Sequence, residues 1–411
     1  MIEEARTADT AVLVEIGSAP VTLESIGRAG DLLTGVGPRS FFHAGPPIEP
    51  SETIGAMRGA LRGALLLEGE AETPEEAERI VANNDLTISP CHDNGGVGAL
   101  AGVVSPTTPI VVARHQNGPQ AFGTVVEGLG RALSFGNYDP ETLDKVRWLS
   151  EEFSDTLRDA FALIPPVDIA DLQARGLRRG DEGHNRIVAS TEKLIALLAP
   201  AFLELGPRCT ATLKELGSNP HFFLSLSLAA AKATALAMEA SGPRGLVTAL
   251  TGNGVRVGIR VSGSPSWFVD APVAPKNMMV IPGRHESDAA PLMGDSGITE
   301  TVGLGAFTLT ASLSLARVLG VDAAGAQRVV DQMRTICMTE HPRFRLPADD
   351  FRGSPFGISA AAVAATGITP AVNAGYAHRV PGEGRVGANL AHYPIGPFRA
   401  AVETLADRAG G

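Results

Sequence analysis

Lysine, cysteine and aromatic residues are scarce in this chain. Lysine occupies only positions 145, 193, 214, 232 and 276, among 34 basic residues in all, and no basic cluster interleaved with aromatic residues occurs. The formal net charge is −11, which disfavours nucleic acid and anionic membranes as partners. The bias toward arginine is typical of GC-rich bacterial coding. We therefore expect a bacterial protein that acts on a small-molecule substrate.

The few cysteines and the lack of long apolar runs exclude further classes. Cys91, Cys209 and Cys337 are far apart and odd in number, which argues against a disulfide framework and against a paired metal or redox motif. No uninterrupted apolar run of about 18 residues is present, and the N-terminal "IEEARTADT" is acidic. Nucleophile-elbow, Rossmann and metalloprotease motifs are missing too. The sequence thus predicts a soluble, cytoplasmic protein with no cofactor and no metal.

The hydrophobic pattern predicts a mixed α/β fold in three regions. Residues 1–116 form an N-terminal α/β lobe with β-like runs "TAVLVEIG", "DLTIS" and "PIVVAR", and "TPEEAERIV" has the pattern of a capping box at Thr73. Residues 117–243 have helical periodicity, with a helix opened by Asp139 and Pro140. Its stretch "LSLSLAAAKATALA" exceeds the needs of one core and predicts a surface covered by a partner.

The C-terminal region, residues 244–411, is expected to combine a β-hairpin with helices. In "GNGVRVGIRVSG" apolar and polar residues alternate after a Gly-Asn-Gly turn, which indicates a hairpin. Helical patterns return near 298–319, 323–340 and 397–408, and the intervening "DDFRGSPFG" and "VPGEGRVGAN" are typical of loops.

The strongest candidate site is "RGDEGHNR", residues 179–186. Asp181 is placed to cap a helix with Glu182 and His184 in its first turn, which is a purely structural role. Alternatively Asp181 orients the His184 imidazole, while Asn185 and Arg186 present donors to an anion. The second interpretation makes Asp181, Glu182 and His184 candidate catalytic residues, and Asn185 and Arg186 candidate anion-binding residues.

A second candidate, "GDSGITETVGLGAF", begins at residue 294. Asp295, Ser296 and Thr299 surround a predicted helix start whose amides and hydroxyls suit an oxyanion, and Glu300 is a further candidate acid or base. The alternative is an ordinary helix cap with small residues for close packing. Weaker candidates for substrate or anion binding, each with an equally plain structural role, are His92 and Asn94 in "SPCHDNGG", His221 in "NPHFF", Arg260 on the polar face of the hairpin, and Arg352.

Seven motifs in order resemble the AllG-like family: "FFHAGPPI", "RGDEGHNR", "NPHFFLSL", "NGVRVGIRVSG", "GDSGITETVGLGAF", "FRGSPFGI" and "PGEGRVGAN". The resemblance implies an oxamate carbamoyltransferase subunit, which works with other proteins to convert oxalurate and phosphate into oxamate and carbamoyl phosphate. The chain departs from the family's Cys-His-His turn, since Asp93 and Asn94 follow His92, and it has "GPQA" at 118–121 in place of Gly-Asn-Arg-Ala.

The chain is also similar in kind to the larger subunit of the paired enzymes that close aziridine rings in azinomycin-type and vazabitide-type antibiotic biosynthesis. This second resemblance implies a secondary-metabolic enzyme in which an amine displaces a neighbouring sulfate, without a cofactor. Ring closure with a smaller partner subunit is the first expectation, carbamoyl transfer is the alternative, and a non-catalytic scaffold subunit is the second alternative. All three imply a hetero-oligomer.

Overall fold

The computed structural model describes the backbone of residues 2–410 and the side chains of residues 7–408. Within this part the chain is a mixed α/β protein, which confirms the predicted fold class. The helices are α1 (Ile2–Ser18), α2 (Ala29–Leu32), α3 (Gly55–Leu67), α4 (Pro74–Ala82), α5 (Pro140–Trp148), α6 (Ser154–Ala162), α7 (Ile169–Leu177), α8 (Val188–Leu205), α9 (Thr210–Ser218), α10 (Phe223–Ser241), α11 (Ile298–Thr301), α12 (Leu313–Val318), α13 (Ala323–Ile336), α14 (Ala360–Thr366) and α15 (Gly396–Gly410).

The strands form several small sheets. They are β1 (Val21–Arg28), β2 (Ser40–His43), β3 (Thr87–Pro90), β4 (Gly96–Val97), β5 (Pro109–His115), β6 (Gln120–Thr124), β7 (Val247–Asn253), β8 (Val257–Val261), β9 (Phe268–Asp270), β10 (Met279–Val280), β11 (Met293–Gly294), β12 (Cys337–Leu346), β13 (Arg352–Ile358), β14 (Ala371–Ala377) and β15 (Arg385–His392). The strand orders are β1-β5-β6-β4, β11-β7-β8-β9 and β10-β15-β14, with separate pairs β12-β13 and β2-β3.

The first predicted strand is wrong, because "TAVLVEIG" lies within helix α1. Leu13 and Ile16, three residues apart on one helical face, are both buried in the main core. Burial of that face stabilises the helix and outweighs the preference of Val12 and Val14 for β-strands. The strands predicted at "DLTIS" and "PIVVAR" are confirmed as β3 and β5.

Two predicted helix starts are confirmed in detail. The Thr73 hydroxyl accepts a hydrogen bond from the Glu76 amide at 3.2 Å and begins α4. The Glu76 carboxylate binds the amide of Glu72 at 2.8 Å, so the reciprocal half of a capping box is not formed with Thr73. Asp139 begins α5 by accepting from the Thr142 amide at 2.8 Å. The helical region nevertheless opens with a strand, β6, which pairs with β5.

Helix α10 is the central element of the fold. It packs against β5 and β6, and fifteen of its residues are buried, including nearly all of "LSLSLAAAKATALA". The prediction that this stretch forms a partner-binding surface is wrong, since the chain's own strands and helices cover it. Among the described residues α10 is the one helix whose length and composition suffice to cross a membrane, and most of it is buried inside the protein.

The C-terminal region contains the predicted hairpin and three further antiparallel pairs of consecutive strands, β8–β9, β12–β13 and β14–β15. Strands β7 and β8 pair antiparallel, as the alternating pattern predicts. The helix predicted over 323–340 ends at Ile336, because the chain turns there into β12. The loops predicted at "DDFRGSPFG" and "VPGEGRVGAN" are wrong in large part: they contain β13 and β15, which pair with β12 and β14. Glycine-rich strands gain their stability from these partners, which local sequence does not reveal.

The largest apolar core joins residues from all three predicted regions, from Leu13 through α10 to Phe356. A second core lies under the C-terminal strands, and a third lies under α3 and α4. The division into residues 1–116, 117–243 and 244–411 stays a prediction.

Candidate functional site

A cleft opens where the loop before α8 meets segments from the N-terminal and C-terminal parts of the chain. Its walls combine apolar side chains with a few polar groups, the arrangement usual for small-molecule sites. Its polar lining residues are Ser134, His184, Asn185, His221, Ser296 and Arg385, and its apolar lining includes Ala99, Leu100, Val126, Leu129, Phe135 and Leu224.

His184 is held by the carboxylate of Glu300. Its Nδ1 lies 2.9 Å from Oε1 and 3.0 Å from Oε2 of Glu300, and both side chains are buried. Nδ1 therefore carries the proton and donates, which leaves Nε2 as the ring atom available to a bound molecule in the cleft. Burial lowers the pKa of His184, but the charges of Glu300 and Glu182 outweigh it, so the pKa is raised overall.

Glu300 is itself fixed by donors from three segments. It accepts hydrogen bonds from the Thr299 hydroxyl at 2.9 Å, the Ala306 amide at 3.2 Å and the Asn373 amide at 3.0 Å. These bonds set the orientation of the carboxylate toward His184. A carboxylate fixed in this way selects one imidazole tautomer and stabilises the imidazolium.

Glu182 lies behind His184 and organises the loop. Its carboxylate accepts from the backbone amides of His184, Asn185 and Arg186, and from the Asn373 side-chain amide at 2.7 Å. Burial raises the pKa of Glu182 to about 7, against the opposing influence of His184 and its amide donors. Gly183 has φ +88, a backbone conformation that favours glycine, and it allows the tight turn around this carboxylate.

Arg385 contributes a positive charge to the cleft. Its Nη2 donates to Asn185 Oδ1 at 3.1 Å and its Nε donates to the Gly387 carbonyl at 3.3 Å. Among the described residues no carboxylate lies within ion-pairing distance of this guanidinium. Burial lowers the pKa of Arg385. A half-buried arginine that lacks a carboxylate partner is a suitable anchor for an anionic ligand.

His221 completes the polar lining. Its Nε2 donates to the Asn185 carbonyl at 3.1 Å, which leaves Nδ1 as a hydrogen-bond acceptor when the ring is neutral. Burial, and then the charge of Arg385, lower the pKa of His221, so the neutral form is favoured at pH 7. The cleft thus contains two imidazoles whose pKa values are shifted in opposite directions: that of His184 is raised and that of His221 is lowered.

The structure brings most of the sequence-predicted residues of "RGDEGHNR" to this site, with three corrections. Asp181 accepts from the Ala189 amide at 3.0 Å and the Ser190 amide at 2.8 Å at the start of α8, but that helix begins at Val188, so Glu182 and His184 lie in the preceding loop and not in the first helical turn as predicted. Asp181 does not bind His184, and Glu300 takes the orienting role instead. Arg186 donates to the Gly180 carbonyl at 3.0 Å and is not among the cleft-lining residues.

The segment 294–300 supports the cleft differently from the prediction. Ser296 lines the cleft and Thr299 supports Glu300. The amides of Ile298, Thr299 and Glu300 bond to carbonyls of the same segment, so they form no cradle for an oxyanion. Asp295 is fully buried and accepts from the Gly45 amide at 2.8 Å and the Gly98 amide at 2.9 Å, and it does not line the cleft.

Of the weaker candidates, His221 lines the cleft and the other four lie outside its lining. Arg352 pairs with Glu340 at an exposed position. Asn94 donates to Ser89 and to the Pro90 carbonyl, and so closes its own turn. His92 lies next to Asp295, and Arg260 pairs with Asp93, in a separate cluster of polar residues.

Sequence reasoning missed Arg385 and Asn373, which the fold brings beside His184 from two neighbouring strands. Arg385 occurs in the motif "PGEGRVGAN", where a lone arginine between glycines was a usable signal. Asn373 lies in strand β14, "AVNAGYA", and its side-chain amide donates to Glu182. A polar residue in an otherwise apolar strand was the available sign.

Comparison with known proteins shows similarity along the whole chain. The family model "Oxamate carbamoyltransferase subunit AllG" matches residues 86–296. The chain is 32% identical over 417 residues to "Oxamate carbamoyltransferase subunit AllG" of Escherichia coli (strain K12), with 100% of both chains covered. It is also 32% identical over 399 residues to "Uncharacterized protein YahG" of the same organism, which covers 96% of this chain and 84% of that protein.

The fold is shared with a crystal structure of a conserved protein of unknown function from Enterococcus faecalis V583. The TM-score is 0.92 at 32% identity, and 99% of each chain is covered. Sequence and structure thus place the chain in a class of mixed α/β proteins that includes a named carbamoyltransferase subunit. The chain belongs to the AllG family.

Proposed function

We propose that this chain is a subunit of an enzyme that interconverts oxalurate and phosphate with oxamate and carbamoyl phosphate. The observation that carries the proposal is the cleft, in which the unpaired Arg385 lies with a histidine held by Glu300. The name of the matched family and that of a full-length relative support carbamoyl transfer over ring closure. We also propose a hetero-oligomer with a smaller partner protein, in the cytoplasm.

Arg385 is proposed to bind the carboxylate of oxalurate or oxamate. A guanidinium offers two parallel N–H donors to a carboxylate, and each charge-assisted hydrogen bond contributes about 1.5–3 kcal/mol. Asn185 holds one edge of this guanidinium at 3.1 Å, so the group is oriented before a ligand binds. The Ser296 hydroxyl, in the same cleft, is the proposed donor to a carbonyl oxygen of the substrate.

His184 is proposed as the general acid and base. In the phosphorolysis direction a phosphate oxygen bonds to the ureido carbon, and the bond from that carbon to the oxamate nitrogen breaks. The departing nitrogen needs a proton, which the His184 imidazolium supplies through Nε2 while Glu300 stabilises the charged ring. The neutral Nδ1 of His221 is proposed to accept the proton that the attacking monohydrogen phosphate loses, which balances the proton that His184 gives to oxamate.

Ring closure with sulfate loss is the second candidate, because it uses the same groups. His184, made more basic by Glu300 and Glu182, would accept the proton of the attacking amine, and Arg385 would stabilise the departing sulfate. Alignment of an amine opposite its leaving group supplies as much as about 7–11 kcal/mol in an intramolecular reaction. No additional reactant is needed.

The test is to purify the chain with its genetic neighbour and offer two substrate sets. Oxalurate with phosphate, and separately a vicinal amino-sulfate, are followed by ion chromatography of carbamoyl phosphate and of sulfate. Carbamoyl phosphate supports the proposal, and sulfate without carbamoyl phosphate overturns it in favour of ring closure. A complex with turnover that is unchanged by His184→Gln would leave this chain as a non-catalytic scaffold.

A further inference from the structure

A second buried polar cluster lies beside the segment that carries Ser296 into the cleft. Among the described side chains, thirteen buried nitrogen or oxygen atoms have no hydrogen-bond partner, and five of these belong to one group of residues. They are His43 Nε2, both ring nitrogens of His92, Lys232 Nζ and Arg260 Nε. Because unpartnered buried polar atoms cost roughly 1–3 kcal/mol each, such a concentration calls for a bound group.

Backbone pairing and side-chain contacts bring these residues together. His43 pairs with Pro90 in the register of β2 and β3, two residues before His92. His92 Nε2 lies 3.7 Å from Asp295 Oδ1, which also accepts the Gly45 amide at 2.8 Å. His43, His92 and Lys232 are almost completely inaccessible to solvent. The inner part of the cluster is therefore enclosed by the fold, whereas Arg260, 15% exposed, and Asp93, 36% exposed, form its outer side.

The positive groups of the cluster act on one another. Burial, followed by the charges of Lys232 and Arg260, lowers the pKa of His92 well below its usual value. Burial likewise lowers the pKa of Lys232, which has no hydrogen-bond partner for its ammonium. A bound anion would offset both burial penalties, since it supplies acceptors to nitrogen atoms that have none and adds to the charges of Glu239, Asp295 and Asp93, which raise the pKa of Lys232.

The negative groups nearby are already satisfied by other donors. Asp295 accepts from the amides of Gly45 and Gly98 and from the Thr251 hydroxyl, and burial raises its pKa to about 7. Asp93 is bound by Arg260 Nη1 and by the Trp267 indole N–H. Glu239, the carboxylate whose charge raises the pKa of Lys232 most, accepts from the Thr248 hydroxyl at 2.7 Å. None of the three carboxylates accepts a hydrogen bond from the Lys232 ammonium, so its N–H donors stay unused.

The histidines define what the bound group must offer. His43 Nδ1 donates to the Ala44 carbonyl at 2.8 Å, which leaves its Nε2 as an acceptor that needs a donor. Lys232 Nζ and Arg260 Nε are donors that need acceptors. We infer that this enclosure binds a protonated oxyanion of the monohydrogen phosphate type, whose O–H donates to His43 and whose other oxygens accept from Lys232, Arg260 and His92. A fully ionised sulfate lacks the required O–H.

The inference concerns binding and does not depend on the reaction proposed above. A phosphate in this enclosure would be held against Asp295, next to Ser296, and would steady the segment that runs on to Glu300. Its test therefore uses the full chain without turnover. Calorimetric titration with inorganic phosphate, in chloride buffer, is compared with titration by sodium sulfate.

Lys232→Met removes the ammonium but keeps an unbranched apolar stem inside α10. We expect phosphate affinity to fall at least about tenfold, the loss of one charge-assisted hydrogen bond. The matched control Lys214→Met, at an exposed site on α9, should bind as wild type does. Arg385→Met removes a cleft contact and should leave this binding event in place. Sulfate should bind at least about tenfold more weakly than phosphate.

Three results would overturn the inference. They are wild-type phosphate affinity in Lys232→Met, phosphate binding that Arg385→Met alone abolishes, and equal affinity for sulfate and phosphate. Thermal melting checks that Lys232→Met is folded, and we expect its melting temperature in phosphate-free buffer to equal or exceed that of wild type. If it does not fold, His92→Gln is the second variant, with the same loss of phosphate binding expected.

Discussion

Replacing Glu300 by glutamine isolates the charge that holds His184. The amide has nearly the volume of the carboxylate, so its oxygen can keep the amides of Ala306 and Asn373 at the Oε1 position. The Thr299 hydroxyl, now bonded to Oε2 at 2.9 Å, can turn and accept from the new NH₂ group. The bond that glutamine does not reproduce is the ionic one to His184, with contacts at 2.9 and 3.0 Å.

Loss of this charge-assisted bond should destabilise the protein by about 1.5–3 kcal/mol where His184 is charged. The sign with pH follows from the raised pKa of His184 in the fold. The bond to Glu300 stabilises the fold fully when the pH is below 6.5, the pKa of His184 in the unfolded chain. This stabilisation is lost as the pH rises through the higher pKa that His184 has in the folded protein. The difference between wild type and Glu300→Gln should therefore be largest near pH 6 and shrink toward pH 9.

Two assays follow the effect. NMR of histidine-labelled protein, with His184→Gln to assign the resonance, should show a lower pKa for His184 in Glu300→Gln, because burial then acts with less opposition. The rate of the reconstituted complex should fall by about 10²–10⁴, the usual contribution of a general acid or base. Glu383→Gln, at an exposed pair with Arg284, is the matched control and should change stability by at most about 1 kcal/mol. An unchanged His184 titration would refute the reasoning.

Three further outcomes are expected. Arg385→Met should raise KM for the anionic substrate about 10–150-fold, because one charge-assisted hydrogen bond is lost. The control Arg186→Met should leave KM near the wild-type value. Equal effects of the two substitutions would show that Arg385 does not bind the substrate. Glu182→Gln should gain melting temperature relative to wild type as the pH rises from 5 to 8, because the pKa of Glu182, raised from 4.5 to about 7, makes its ionisation costly in the fold. Light scattering should show a larger complex when the chain is mixed with its genetic neighbour, and full activity of a lone monomer would contradict this.

Local sequence determined the features that depend on near neighbours along the chain. The caps at Thr73 and Asp139, the β7–β8 hairpin and the strand β5 could be read from spacing and alternation alone. The candidate cluster around His184 was visible for the same reason, since the polar residues of its loop are adjacent in sequence. The family could be inferred because its motifs occur in order along the chain.

Tertiary structure decided which carboxylate serves which histidine. Asp181 is three residues from His184, but its oxygens satisfy the free amides at the start of α8, whereas Glu300 reaches the ring from another segment. Arg385 enters the cleft on a strand held by its neighbour β14, and no local pattern encodes that pairing. The fold also decides the state of Lys232. Its ammonium lacks a hydrogen-bond partner because the surrounding strands bury it, and the sequence of helix α10 alone does not show this burial.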